Sequence, residues 1–163
     1  MKLRKLELKD APFMLEWMHD KSVVKNLSAN FGAKKLEDCK AFIMASKNDE
    51  DNLNLAIVSE DDEYMGTVSL KHIDKENKNA EFAIAIRTCA MGKGYSKYGM
   101  AEIIRIGLEE LGLDQIYWCA SPENKRAVRF YDKNGYERIP HSNVKSIGYT
   151  PEQIKAFIWY SAK

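Results

Sequence analysis

Residues 80–120 read AEFAIAIRTCAMGKGYSKYGMAEIIRIGLEELGLDQIYWCA. Three patterns follow one another there. "AEFAIAIR" (80–87) is a short apolar run after a polar turn, which predicts a strand. Met91-Gly92-Lys93-Gly94-Tyr95-Ser96 is a glycine-rich turn. Beyond it Met100, Ile103, Ile104, Gly107, Leu108 and Leu111 recur at spacings of three and four, one apolar face of a helix. Gly112 is the usual residue just past such a helix. "QIYWCA" (115–120) is again a strand. Strand, turn, helix and strand make a crossover unit, so 80–87 and 115–120 are expected to be parallel neighbours.

The flanks read more simply. "KLRKLEL" (2–8) is a first strand, and Asp10 is the N-cap of a helix with Met14, Leu15 and Met18 on its apolar side. Residues 20–34 read as irregular, with Asn26, Asn30 and Gly32 as breakers. "LEDCKAFIMAS" (36–46) is a second helix, with Cys39, Phe42, Ile43 and Met44 facing inward. "LNLAIVS" (53–59), "YMGTVSLKHI" (64–73) and 80–87 are separated by short polar turns, which argues for antiparallel hairpins. "SPENKRAVRFYDKNG" (121–135) is a helix with a proline near its start and Gly135 after its end, and "FIWYS" (157–161) is a last strand. The order β-αα-βββ-α-β-α-β defines an α+β class: a mixed, mostly antiparallel sheet with a central parallel pair, flanked by helices. At 163 residues the whole chain, 1–163, is expected to be a single domain.

Composition narrows the function classes. With 25 basic and 24 acidic residues, the net charge of +1 gives no footprint for nucleic acid. No run approaches the roughly 18 apolar residues of a membrane span, and the charged N-terminus lacks a signal peptide's apolar stretch. Three cysteines without a CxxC suggest neither a disulfide framework nor a zinc site. No metal is expected, and a reducing cytoplasm fits.

A glycine-rich turn between a strand and a helix aims backbone N–H groups at one spot, and the helix dipole adds partial positive charge, so the turn suits phosphate. Gly92 and Gly94 let the backbone approach closely, and Lys93 and Lys97 add charge. The Walker A pattern fails, because Gly94 follows Lys93 where Ser or Thr is needed. The dinucleotide pattern G-x-G-x-x-G fails too, because Gly99 comes two positions late. The pyrophosphate of coenzyme A is the third reading.

The second motif decides between them. "ASPENKRAVRFYDKNGYERI" (120–139) puts Asn124, Ala127 and Tyr131 on one helical stripe. Together with the loop, it resembles the GNAT superfamily of N-acetyltransferases. The helix matches N-x-x-[AS]-x-x-[FLY]-Y-x-K-x-G-[FY] at every position from Asn124 to Tyr136. The loop matches [RQ]-x-x-G-x-[GA] except that Met91 replaces Arg or Gln and Ser96 replaces a small residue. The "GKGY" loop and the "LEWMHD" helix look most like the branch with ribosomal-protein and small-molecule acetyltransferases.

The resemblance implies direct acetyl transfer from acetyl-CoA to a primary amine, on a small molecule or a protein N-terminus, by a cytoplasmic enzyme that can be a homodimer. It implies Tyr131 as the acid that protonates the leaving thiolate. Glu81, at the start of the strand leading into the loop, is the candidate base, with His72 as runner-up, since an unperturbed imidazole titrates near neutrality. Met91, Gly92, Lys93, Gly94, Tyr95 and Ser96 are implied to bind pyrophosphate through their amides. Ala85, Ile86 and Arg87 are implied to offer backbone to pantetheine, where the parallel pair splays. Asn124, with Ala127 and Tyr131 on its stripe, faces the same cofactor, and Asn124 also reads as a helix N-cap. Trp17, Asn26, Asn30, Phe31 and His72 are candidates for the acceptor side. The alternative reading is a non-catalytic CoA-binding sensor or scaffold.

Overall fold

The computed structural model describes residues 1–25, 27, 29–144 and 148–163. Its strands are β1 (Lys2–Lys5), β2 (Leu53–Val58), β3 (Tyr64–Asp74), β4 (Asn79–Ile86), β5 (Gln115–Ala120), β6 (Glu137–Ile139) and β7 (Ile158–Ala162). The helices are α1 (Ala11–Met18), α2 (Lys21–Val24), α3 (Leu36–Ser46), α4 (Tyr95–Arg105), α5 (Lys125–Lys133) and α6 (Pro151–Ala156). The strands form one sheet in the order β1-β2-β3-β4-β5-β7-β6. Every neighbouring pair is antiparallel except β4 and β5, which are parallel as their crossover requires.

Alternation along the strands sorts the side chains onto two faces. One face carries Ile57, Val68, Leu70, Phe82, Ile116, Trp118 and Tyr160, packed against Met100, Ile103 and Ile104 of α4 and Tyr131 of α5. The other carries Ala56, Val58 and Tyr64 under Met14, Trp17 and Met18 of α1 and Cys39 and Ile43 of α3.

The parallel pair is short. Three rungs join it, Asn79 to Gln115, Ala80 to Ile116 and Glu81 to Tyr117, while β4 runs on to Ile86 and β5 to Ala120. Past those rungs each strand is held by its outer neighbour. β4 stays paired to β3 as far as Gly66↔Ile86, and β5 to β7 as far as Ala120↔Ile158. A groove therefore opens in mid-sheet, as the sequence leads one to expect.

Several local expectations change. β1 ends at Lys5 rather than residue 8, because Leu8–Asp10 coil into a single 3-10 turn. Asp10 does precede α1, but its carboxylate caps nothing there. It accepts from Arg4 Nη1 and Nη2 at 2.8 and 2.9 Å and from the Glu7 amide at 2.8 Å, and is 1% exposed. The stretch 20–34 contains α2, capped by Asp20, whose side chain accepts from the Ser22 amide. On α3 the inward stripe is Cys39 and Ile43. Phe42 and Met44, each about 100° around the helix from Ile43, are 41% and 51% exposed. α5 starts at Lys125 rather than 121, and β6 and α6 are additional elements.

Replacing Asp10 by Ala should expose the cost of taking the two-point carboxylate partner from a largely buried Arg4. A loss of about 3 kcal/mol is expected in urea unfolding. A loss under about 1 kcal/mol would show that Asp62 at 2.7 Å and Glu7 at 3.2 Å suffice for Arg4.

Candidate active site

The turn after β4 is built for an anion. Gly92 and Gly94 take positive φ, +76° and +89°, and a Cβ on either would meet nothing within 4 Å. Their glycines thus answer the backbone conformation, and the space above them is open. α4 makes its first bond from the Tyr98 amide to the Gly94 carbonyl at 3.0 Å. The amides of Gly92, Lys93, Gly94, Tyr95, Ser96 and Lys97 meet no acceptor among the described residues. Six consecutive donors at a helix N-terminus are an arrangement that suits an anion. Met91 departs from the expected role, because its amide donates to the Thr88 carbonyl at 3.2 Å.

Where the family pattern has Arg or Gln, Met91 receives a cation from elsewhere. Arg126, in the first turn of α5, places Nη1 3.1 Å from the Met91 sulfur. A guanidinium thus stands at the loop despite the substitution. Asn124 caps α5, accepting from the Ala127 amide at 3.3 Å, and Ala127 is half-buried against the main core.

The groove has a definite hydrogen-bonding edge. The Arg87 amide donates to the Met65 carbonyl at 2.9 Å, in line with the β3–β4 register. By alternation Ala85 and Ala83 also turn their peptide groups toward β3, whereas Ile86, Ile84 and Phe82 turn theirs toward the gap. Of the expected backbone contacts, Ile86 therefore faces the groove, while Ala85 faces β3 and Arg87 is committed. The Arg87 carbonyl accepts from the Ala90 amide at 2.9 Å, and its guanidinium binds Glu16 at 2.8 and 3.1 Å, Glu63 at 3.2 Å and the Tyr64 carbonyl at 3.0 Å. Ile84 is the edge residue that the sequence reading omits.

Tyr131 and Glu81 lie on opposite faces of this gap. Tyr131 is 8% exposed, with its ring centroid 5.0 Å from Tyr160 and 5.6 Å from Trp118. Its hydroxyl has no hydrogen bond among the described residues. Burial, with a smaller contribution from the nearby Cys119 thiol, pushes its ionisation well above the ordinary phenol value, so it carries its proton at neutral pH. Glu81, on the last parallel rung, is 4% exposed. The Tyr149 hydroxyl donates to its Oε2 at 2.8 Å, and Oε1 has no partner among the described residues. Lys71 opposes Glu81 in the register, but Glu81 is buried, not facing solvent.

The remaining candidates separate. His72 is exposed at φ 52°, on the irregular stretch between Lys71 and Asp74. Trp17 belongs to the second core and donates to the Tyr64 hydroxyl at 2.9 Å. Phe31 packs edge-on against Trp17 at 5.1 Å, and Asn30 is exposed. Asn26 lies outside the described residues. Among the described residues no group of three or more His, Cys, Asp or Glu could hold a metal ion.

A run of amides without acceptors at a helix N-terminus, beside a split parallel pair with a phenol and a carboxylate at hand, is an arrangement that suits group transfer from an extended phosphorylated donor. A family model described as an acetyltransferase (GNAT) domain matches residues 1–137, and the chain belongs to that family. An uncharacterized N-acetyltransferase, p20, of Bacillus licheniformis is 28% identical over 139 residues, 83% of this chain and 78% of the relative. Spermidine N(1)-acetyltransferase of Vibrio cholerae is 30% identical over 98 residues, 59% of this chain and 57% of the relative. The crystal structure of spermidine N-acetyltransferase from Vibrio cholerae in complex with CoA and spermine superimposes with a TM-score of 0.81 at 19% identity. It covers 99% of this chain and 94% of its own. A dodecameric structure of that enzyme, in an intermediate state, gives a TM-score of 0.74 at 20% identity, covering 99% of this chain and 92% of its own.

Burial pushes the Cys119 thiol up to about 11, with the Tyr149 contact acting in the opposite sense. At pH 8 its thiolate fraction falls roughly 200-fold below that of a thiol with the usual pKa near 8.5. Peptide mapping after timed iodoacetamide treatment should find exposed Cys89 alkylated long before Cys119. Equal rates at the two would contradict the burial.

Proposed function

We propose that this enzyme transfers the acetyl group of acetyl-CoA directly to the primary amine of a small molecule. The observation that carries the reading is the continuity of the six-amide cradle with the groove edge at Ile86 and Ile84, which ends between Tyr131 and Glu81. Pyrophosphate would take the amides of Gly92 to Lys97, with Lys93, Lys97 and Arg126 as counter-charges. The pantetheine arm would pair with the outward peptide groups of Ile84 and Ile86, as an added strand does. Asn124 and Ala127, at the start of α5, would flank it.

The chemistry balances within this chain's residues. Glu81 Oε1 takes the proton of the acceptor ammonium, directly or through water, and the neutral amine attacks the thioester carbonyl. The C–N bond forms as the C–S bond breaks. Tyr131 gives its proton to the leaving thiolate, and the second proton shed by the acylated nitrogen restores the phenol, while Glu81 returns the first to solvent. His72, exposed, is not assigned to the base.

Two features bear on the acceptor. Tyr149, Phe157 and Trp159 form edge-to-face contacts beside Glu81, at 6.1 Å for Phe157 and 5.3 Å for Trp159. Residues 19–35 carry Lys21, Lys25, Lys34 and Lys35 against one carboxylate, Asp20. Both favour an amine with one charge on an apolar arm over a polycation, even though the Vibrio relatives are named for spermidine. A peptide N-terminus fits the same demand.

We further read residues 1–163 as one domain, since a single sheet uses strands from Lys2 to Ala162. The cysteines are free, which supports a reducing cytoplasm. No helix among the described residues is long and apolar enough to cross a membrane. Self-association, as a homodimer in the simplest case, belongs to this proposal because a Vibrio relative is dodecameric.

The test is thiol release from acetyl-CoA with a panel of alkyl and aryl monoamines, free-N-terminus peptides and spermidine. Turnover with a monoamine or peptide is expected, and Tyr131→Phe should lower kcat by about tenfold or more while acetyl-CoA still stabilises the fold. No transfer to any amine while acetyl-CoA still binds would favour a sensor. A preference for spermidine would refute the acceptor assignment.

A further inference from the structure

Tyr149 precedes α6, outside the residues that the family model matches. Its hydroxyl touches both strands where they part. It donates to Glu81 Oε2 on β4 at 2.8 Å and receives the Cys119 thiol of β5 at 3.7 Å. Glu81 is the last β4 residue in a parallel rung, and Cys119 lies two residues beyond its partner Tyr117. The phenol thus bridges the root of the groove.

The ring has its own support. It packs edge-on against Trp159 of β7 at 5.3 Å and Phe157 at 6.1 Å. Trp159 is fixed in turn, donating from Nε1 to the Ile154 carbonyl at 2.8 Å. The hydroxyl is therefore placed by aromatic packing that does not depend on Glu81.

We propose that Tyr149 is a positioning residue, holding the Glu81 carboxylate by one oxygen so that the other faces the acceptor amine. This rests on the assignment of Glu81 as the proton acceptor. A glutamate has three side-chain torsions, and an untethered one would spread over several rotamers. With Oε2 held, Oε1 is the oxygen left for an ammonium. A buried carboxylate with an unfilled acceptor site is costly, and a cation relieves that cost. Burial, then the neighbouring thiol and carboxylate, raise the ionisation of Tyr149 far above an ordinary phenol, so it is a lasting donor at neutral pH. It neither accepts the amine's proton nor supplies the thiolate's.

Tyr149→Phe keeps the ring and its packing and removes the hydroxyl alone. The experiment is a double-mutant cycle with Tyr149→Phe, Glu81→Gln and both changes, reading kcat and both KM values. Tyr149→Phe is expected to lower kcat by about tenfold with the KM for acetyl-CoA unchanged, and the double variant to be no slower than Glu81→Gln alone. Independent, multiplying losses would overturn the proposal, as would wild-type kcat in Tyr149→Phe. A second readout needs no turnover. The side-chain carboxyl 13C resonance of Glu81, identified by its loss in Glu81→Gln, should move in substrate-free Tyr149→Phe. An unmoved resonance would overturn the contact even if kcat fell. A wild-type enzyme that acetylates nothing would refute the acetyl-transfer reading, while the resonance would still decide whether Tyr149 holds Glu81.

Discussion

Three parallel rungs join β4 to β5, and the mid-sheet groove depends on there being no more. The separation is actively held. At the far end of β4 the Arg87 guanidinium is fastened to Glu16 of α1 and to Glu63, with Phe13 beneath it at 4.4 Å. The end of β5 is fastened to β7, and Trp118 adds a stacked contact with Tyr160 at 5.9 Å. Each strand is bonded away from the other. Among the described residues no strand pairs with the peptide groups of Ile84 and Ile86 on the gap side, a cost that an added strand-like ligand would recover.

In the proposed reaction the same opening lets acid and base face one substrate without neutralising each other. Tyr131 reaches the gap from the α5 face, inside an aromatic cluster that keeps its proton on. Glu81 belongs to the face covered by α1 and α3, and a second phenol, Tyr149, meets it there. The two tyrosines are alike in composition and opposite in part. The Tyr131 hydroxyl has no hydrogen bond among the described residues, so its proton is available, whereas the Tyr149 proton is engaged by Glu81.

Much of this was legible in the sequence where the signal is continuous. β2 to β5, α4 and α5 follow from apolar periodicity, and the parallel pair from the crossover that joins it. The positive-φ turn at Gly92 and Gly94 and the Asn124 cap of α5 likewise follow from consecutive residues. Elements without periodicity were not legible. α2 has four residues set by the Asp20 cap, and β6 has three, largely exposed. Phe42 and Met44 look like core residues by type, but the α3 stripe is decided by Cys39 meeting Met18 at 3.6 Å. In the site, the contacts that the sequence does not announce are those whose partners are remote in sequence. Arg87 is claimed by Glu16, Met91 is met by Arg126, and Tyr149 reaches Glu81 across 68 positions. No local spacing announces such contacts.

The account stands on the groove edge of β4 being the place where the donor binds. Residue-resolved amide hydrogen exchange, with and without acetyl-CoA, measures that edge directly. The account predicts that Ala83 and Ala85, whose amides point to β3, are protected from the start. Ile84 and Ile86 should exchange faster in the free protein and become protected when acetyl-CoA is added. Protection of Ile84 equal to that of Ala85 before any ligand is present, or no change at Ile84 and Ile86 with acetyl-CoA bound, would contradict it.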